Sequence, residues 1–200
     1  MWNDRYNTDA FVYGTEPNDF LLAQFAKIPA GGHVLCLAEG EGRNAVFLAE
    51  QGYCVTAVDM SHVGLQKAKR LAESKGLNIE TIVANLNEFD FGVNRYDGIV
   101  SIFAHLPSPI RKLVHANVKA ALKENGIFIL EAYTERQLLT DGVGGPPASA
   151  KDMFMSSDIL SDELKGMQVN MNVELARILN EGTLHTGNSE VVQCIATKQV

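Results

Sequence analysis

Two hydrophobic rhythms alternate along this chain. The run His33-Val34-Leu35-Cys36-Leu37-Ala38 is short and apolar after its first residue, and it ends in Glu39-Gly40-Glu41-Gly42-Arg43-Asn44. A helix-period segment follows as far as Gly52, then a second apolar run over residues 53–58, closed by Asp59. Strand, glycine loop, helix and strand make one β-loop-α-β unit, with the loop at the carboxyl end of its first strand. After Asp59, Ser61 caps a helix that carries Leu65, Ala68, Leu71 and Ala72 on one face and stops at Gly76. The spacing then predicts strands over 79–83 and 96–102, a helix capped by Ser108, opened by Pro109 and ended by Gly126, and a strand over 127–130. Strand and helix alternate without a polar break, which implies right-handed parallel crossovers.

The tail changes rhythm. Val169, Met171, Val173 and Leu175 alternate with Asn170, Asn172 and Glu174, the period of a half-buried strand. Residues 190–197 form another, with turn candidates at Glu181-Gly182 and Gly187-Asn188. No crossover helix lies between them, so they pair antiparallel. A short helix over 157–164 precedes them. Residues 140–149, with Gly142, Gly144, Gly145, Pro146 and Pro147, form a loop that is either a flap over an acceptor or a connector. The expected fold class is α/β: a Rossmann-like three-layer αβα sandwich whose mostly parallel seven-stranded sheet is closed by an antiparallel C-terminal hairpin.

Aromatics crowd the N-terminus (Trp2, Tyr6, Phe11, Tyr13, Phe20 and Phe25), unlike a disordered tail. Tyr13-Gly14-Thr15-Glu16-Pro17 is a turn, and Pro17 suits the first position of a helix through Lys27. Residues 1–200 are expected to be one domain, with 1–28 as a helical lid segment. Hydrophobic content of 46% and charged content of 20% describe a globular chain. A net charge of −7 and a pI near 5.2 argue against a general nucleic-acid surface. The start has no apolar signal core and the chain no membrane-length apolar run, so no membrane partner and a cytoplasmic location are expected. Cys36, Cys54 and Cys194 lack zinc spacing and read as small core residues; no metal site is expected.

The chemistry centres on the glycine loop. Gly40 and Gly42 permit positive φ and let a ligand approach the backbone, and the helix opening near Arg43 aims amide donors at the loop. Asp59 stands where a carboxylate grips ribose hydroxyls. Gly40-x-Gly42-x-x-Ala45 also spells a dinucleotide fingerprint, the signature of a nicotinamide or flavin oxidoreductase. Glu39 and Glu41 would repel a pyrophosphate there, whereas a cofactor with an ammonium and a sulfonium tolerates them. That cofactor is S-adenosylmethionine (SAM). Asn85, after the third strand, serves the turn or meets adenine's amino edge while Leu86 packs on the ring. Tyr13, Glu39, Gly40, Glu41, Gly42, Arg43, Asp59, Met60, Asn85, Leu86, Ile102 and Phe103 make the expected cofactor set.

Over most of its length the chain resembles the class I SAM-dependent methyltransferases. Tyr13-Gly14 before Pro17, residues 39–44, Val58-Asp59, Phe103-Ala104-His105-Leu106-Pro107, Leu130-Glu131-Ala132-Tyr133, Gly144-Gly145-Pro146 and Leu184-His185 are similar to the tellurite-resistance (TehB-type) and thiopurine-methyltransferase-like branch. The chain departs from the branch at Cys36, Ala38 and Glu39, at Asn85 where an acid is usual, and at Thr186 where the tellurite enzymes have Arg after the late His. The resemblance implies transfer of a methyl group to a small acceptor: a thiol, a thiopurine-like compound, or a reduced tellurium or selenium species, with a link to tellurite resistance. His105 and His185 are the candidate catalytic bases, with Tyr133 and Arg177 shaping the acceptor pocket; His33, His62 and His115 are expected at strand or helix edges. The chain is expected as a monomer or homodimer. The alternative of another class is a SAM-binding sensor or scaffold that transfers nothing.

Overall fold

The apolar runs form the middle of a single sheet. The computed structural model, which describes residues 2–199, contains β1 (His33–Leu37), β2 (Cys54–Asp59), β3 (Glu80–Val83), β4 (Tyr96–Ile102), β5 (Leu122–Tyr133), β6 (Met167–Glu181) and β7 (His185–Lys198) in the order β3-β2-β1-β4-β5-β7-β6. β1 to β5 run parallel, and β7 enters antiparallel between β5 and β6. Helices α3 (Arg43–Glu50), α4 (His62–Ser74), α5 (Ser108–Ala121) and α6 (Ser157–Glu163) supply the layers on either face. Side chains alternate across a strand, so Val34 and Cys36 of β1 join one apolar cluster with Ala45, Leu48 and Leu65. Leu35 and Leu37 join the other, with Val114, Val118 and Phe128. β1, covered on both faces, reads as unbroken apolar sequence after His33. β6, at the sheet edge, alternates in sequence over 169–175, but Val169 and Val173 are exposed there while Asn172 and Glu174 are half-buried, the register shifting between Val169 and Met171.

Several local expectations shift, each for a visible reason. Pro17 does not open the first predicted helix: Asn18 is the N-cap, its side chain accepting from Leu21 N, so α2 (Asp19–Gln24) starts later and tightens into a 3-10 turn at Phe25–Lys27. A helix α1 (Trp2–Tyr6) precedes it. In α5 the cap position is Pro107, and Ser108 is already helical with its amide received by Asp152 Oδ2 at 3.0 Å. That helix ends at Ala121, well before Gly126, because Leu122 turns extended (φ −63°, ψ 142°) and pairs with Tyr96. In the hairpin the chain reverses at 182–184, and Gly187-Asn188 lies within β7, paired with Leu179 and Ile178. Cys36 and Cys194 are buried, but Cys54, first residue of β2, is exposed. Among the described residues no helix is long and apolar enough to cross a membrane.

Candidate functional site

The strand order reverses between β1 and β4, and a cleft of about 610 Å³ opens there, at the carboxyl ends of the parallel strands. Such a reversal point is where sheets of this kind bind ligands, and the volume falls in the range of small-molecule sites, about 300–1,000 Å³. Tyr13, Glu39, Glu41, Arg43, Asp59, Met60, Asn85, Leu86, Ile102, Phe103, His105 and His185 all line it. Gly40 and Gly42 are not among the lining residues. Both have positive φ (62° and 91°), but the space a Cβ would need is taken by the chain itself. The Tyr6 ring of α1 covers Gly40, and Gly42 abuts Ala68 of α4, whose Cα would stand 2.7 Å from the added carbon. These glycines admit a helix and a ring, where a ligand was expected.

Asp59 holds the loop together. Its Oδ2 accepts from Gly40 N at 2.9 Å and its Oδ1 from Ser61 N at 2.7 Å. Burial raises its pKa against the pull of these amides. A carboxylate offers about four acceptor positions, so about two remain for hydroxyls.

The acidic pair of the loop departs from expectation. Glu39 Oε1 accepts from Asn44 N (3.0 Å) and Ala45 N (2.8 Å), so it caps α3 and fills the amides expected to meet a ligand carboxylate. Burial pushes the Glu39 carboxyl up to about 7, against the Ala45 amide and the Arg43 charge. Glu41 is paired with Lys67, and both are buried. Lys67 Nζ also donates to the carbonyls of Thr8 (3.1 Å) and Ala10 (2.6 Å), tying the N-terminal segment to α4. Neither glutamate is therefore the free charge the sequence suggested. Asn85 Oδ1 receives Asn87 N at 3.0 Å, so turn chemistry is present even though the residue borders the cleft.

On the far side the wall is aromatic. The Phe103 ring lies 4.6 Å from that of Tyr133 and 4.6 Å from that of His185, and Tyr13 lies 4.5 Å from His185. Phe103 holds a left-handed backbone (φ 53°), which costs an L-residue roughly 1–2 kcal/mol. His105 fixes that turn: its Nδ1 lies 3.0 Å from the Phe103 carbonyl, and its Nε2 accepts from Tyr133 N at 3.0 Å. Only the neutral ring protonated at Nδ1 satisfies both contacts. Burial, and then the neighbouring His185, lower the His105 pKa to about 3. With both nitrogens engaged, His105 has no lone pair for a substrate proton; its geometry is that of a positioning residue, contrary to the catalytic expectation.

His185 is different. Its Nδ1 is buried without a hydrogen-bond partner, 3.9 Å from Glu181 Oε2. Strand register makes the pair: Glu181 closes β6 and faces His185 across the turn. Against burial, which raises it, His185 and Arg43 hold the Glu181 carboxyl down at about 2. Burial lowers the His185 pKa, and Glu181 opposes it. Behind them Asn18 Nδ2 donates to Glu131 Oε2 (2.6 Å) and Glu181 Oε1 (2.8 Å), and Arg177 Nη1 to Glu131 Oε1 (2.9 Å). Glu181 and Asn18 were not singled out from sequence. With the turn placed at 182–184, register would have paired Glu181 with His185. Of the remaining histidines, His33 bonds Thr56 and His115 bonds Glu163, both away from the cleft.

A family model described as a methyltransferase domain matches residues 34–126. The chain is 33% identical over 125 residues to the probable S-adenosyl-L-methionine-dependent methyltransferase TehB of Haemophilus influenzae, covering 58% of this chain and 41% of that protein. It is 34% identical over 104 residues to the uncharacterized methyltransferase YbaJ of Bacillus subtilis, covering 50% and 39%. The chain thus spans about two fifths of the length of these relatives. The solved structure of H. influenzae TehB superposes with a TM-score of 0.71 at 22% identity, over 99% of this chain and 66% of that one. A Burkholderia thailandensis 1,6-didemethyltoxoflavin-N1-methyltransferase, solved with S-adenosylhomocysteine bound, gives 0.67 at 19% identity over 92% and 78%. Over residues 34–126 the chain matches a methyltransferase domain, and in sequence and fold it is similar to S-adenosylmethionine-dependent methyltransferases such as TehB.

Proposed function

We propose that the chain transfers a methyl group to a small-molecule acceptor: a thiol, a thiopurine-like compound, or a reduced tellurium or selenium species, the last being its link to tellurite resistance. The observation that carries the reading is His185, set in the aromatic wall of the cleft with an anionic Glu181 behind it. The cofactor brings an activated methyl on a sulfonium, so the protein's part is to hold, orient and desolvate. Asp59 holds the ribose hydroxyls, with Asn85 and Leu86 at the adenine. Tyr13 and Phe103 exclude water beside the acceptor. The neutral His185 ring takes the acceptor's proton where there is one, and Glu181 stabilises the resulting imidazolium. Arg43 (2.6 Å) and Arg177 (3.3 Å) keep Glu181 ionised for that task. His105 acts through Phe103, by pinning its turn. We read 1–200 as one domain in which residues 1–28 form the lid; Tyr6 over Gly40 and the Lys67 bonds to the segment support this, Met1 lying outside the described residues.

The test is turnover of SAM to S-adenosylhomocysteine with a panel of thiols, thiopurines and selenium or tellurium nucleophiles. His185→Gln is expected to lower kcat by about 100-fold or more for acceptors that carry a proton, and far less for those that do not. Tight SAM binding with no transfer to any acceptor would favour a sensor.

A further inference from the structure

Arg43 is the first residue of α3, is 6% exposed and lines the cleft. One arm of its guanidinium, Nη2, lies 2.6 Å from Glu181 Oε2. The other, Nη1, is buried with no hydrogen-bond partner. Folding does not leave such a donor empty without cost; an unpaired buried donor loses about 1–3 kcal/mol, more when charged. The arm is therefore suited to an acceptor from outside the chain. At the start of helix α3 most amides are already taken: Glu39 Oε1 occupies those of Asn44 and Ala45, and Val46 N bonds the Gly42 carbonyl. The other cation on the cleft wall, Arg5, is exposed, donates to Tyr13 Oη at 2.9 Å and lies over the Trp2 ring.

We propose that Arg43 Nη1, and not the N-terminus of α3, receives the carboxylate of the bound methyl donor. This rests on SAM being the ligand of the cleft. A single guanidinium then bridges the donor's carboxylate and Glu181, the side chain that stands behind His185. Donor anchoring and the orientation of the base are joined through one residue, with no movement of the sheet.

The experiment is calorimetric titration with SAM and with decarboxylated SAM, which lacks only the carboxylate. Wild-type protein is expected to prefer SAM by about 10- to 100-fold, the size of a charge-assisted hydrogen bond. Arg43→Met is expected to abolish that preference, weakening SAM while changing decarboxylated SAM less than about threefold. Because Arg43→Met also strands Glu181, the double variant Arg43→Met/Glu181→Gln repeats the measurement without the buried charge, and thermal melts confirm folding. Arg5→Met is expected to retain the preference. Equal weakening of both donors in the double variant, or a preference for SAM that survives without Arg43, overturns the proposal, and loss of that preference in Arg5→Met would assign the carboxylate to Arg5 instead. Wild-type protein that binds neither donor overturns the cofactor reading beneath it.

Discussion

Replacing His105 with Gln is expected to flatten the acid side of the protein's stability curve. In the folded chain His105 is wedged between the Phe103 carbonyl and the Tyr133 amide, and a proton on Nε2 would face another N–H. Burial holds its pKa at about 3, against an ordinary value of 6.5. The sign follows from linkage. A group whose folded pKa is depressed contributes fully above the unfolded value, and its contribution is lost as pH falls through 6.5 toward about 3, because the unfolded chain takes up the proton first. At pH 5, 1.5 units below the unfolded value, the loss is about 2 kcal/mol at about 1.36 kcal/mol per unit. For a chain of this length that corresponds to roughly 4–8 °C in Tm. Gln presents one N–H and one oxygen to the same two partners and does not titrate. Urea denaturation of wild type and His105→Gln at pH 7 and pH 5 gives the comparison. Other titrating groups, such as His185 and Glu39, are present in both proteins and largely cancel. The variant should lose about 2 kcal/mol less than wild type over that interval. Parallel losses, equal within about 0.5 kcal/mol, would refute the neutral-bridge argument and return His105 to the candidates for proton transfer.

Asp59→Ala is expected to weaken SAM binding by at least about tenfold, or about 1.4 kcal/mol, measured by calorimetry; unchanged affinity would mean that the ribose is held elsewhere. Lys67→Met leaves the buried Glu41 unpaired and should cost about 3–5 kcal/mol in denaturant titrations, of which added Glu41→Gln should return at least about 1 kcal/mol. No recovery in the double variant would show that the ion pair is not the source. Gly42→Ala combines a φ of 91° with contact against Ala68 and should destabilise by at least about 2 kcal/mol. Ala68→Gly in the same chain should recover only part of it, since the backbone of residue 68 also stands in the way; full recovery would mean that φ is not strained.

Sequence alone determined the architecture, because burial on both faces leaves a signature that needs no tertiary knowledge. The apolar run of β1, the apolar positions Ile99, Val100 and Ile102 of β4, the sequence alternation in β6 and the absence of a crossover helix before β7 led to the observed sheet. Asp59 and the loop before it were legible for the same reason: the unit's geometry is local. Its partnerships were not. Whether a glycine faces a ligand or the ring of Tyr6, and whether a glutamate is free, caps a helix or meets a lysine, depends on segments distant in sequence. His105 and His185 look alike in sequence as lone histidines without a local partner motif. Only packing separates them: one has both nitrogens tied to backbone, while the other faces Glu181 across a turn whose register the sequence left open. Local periodicity sets which residues are buried, but the charge a buried group carries is set by what packs against it, and that is a property of the tertiary structure.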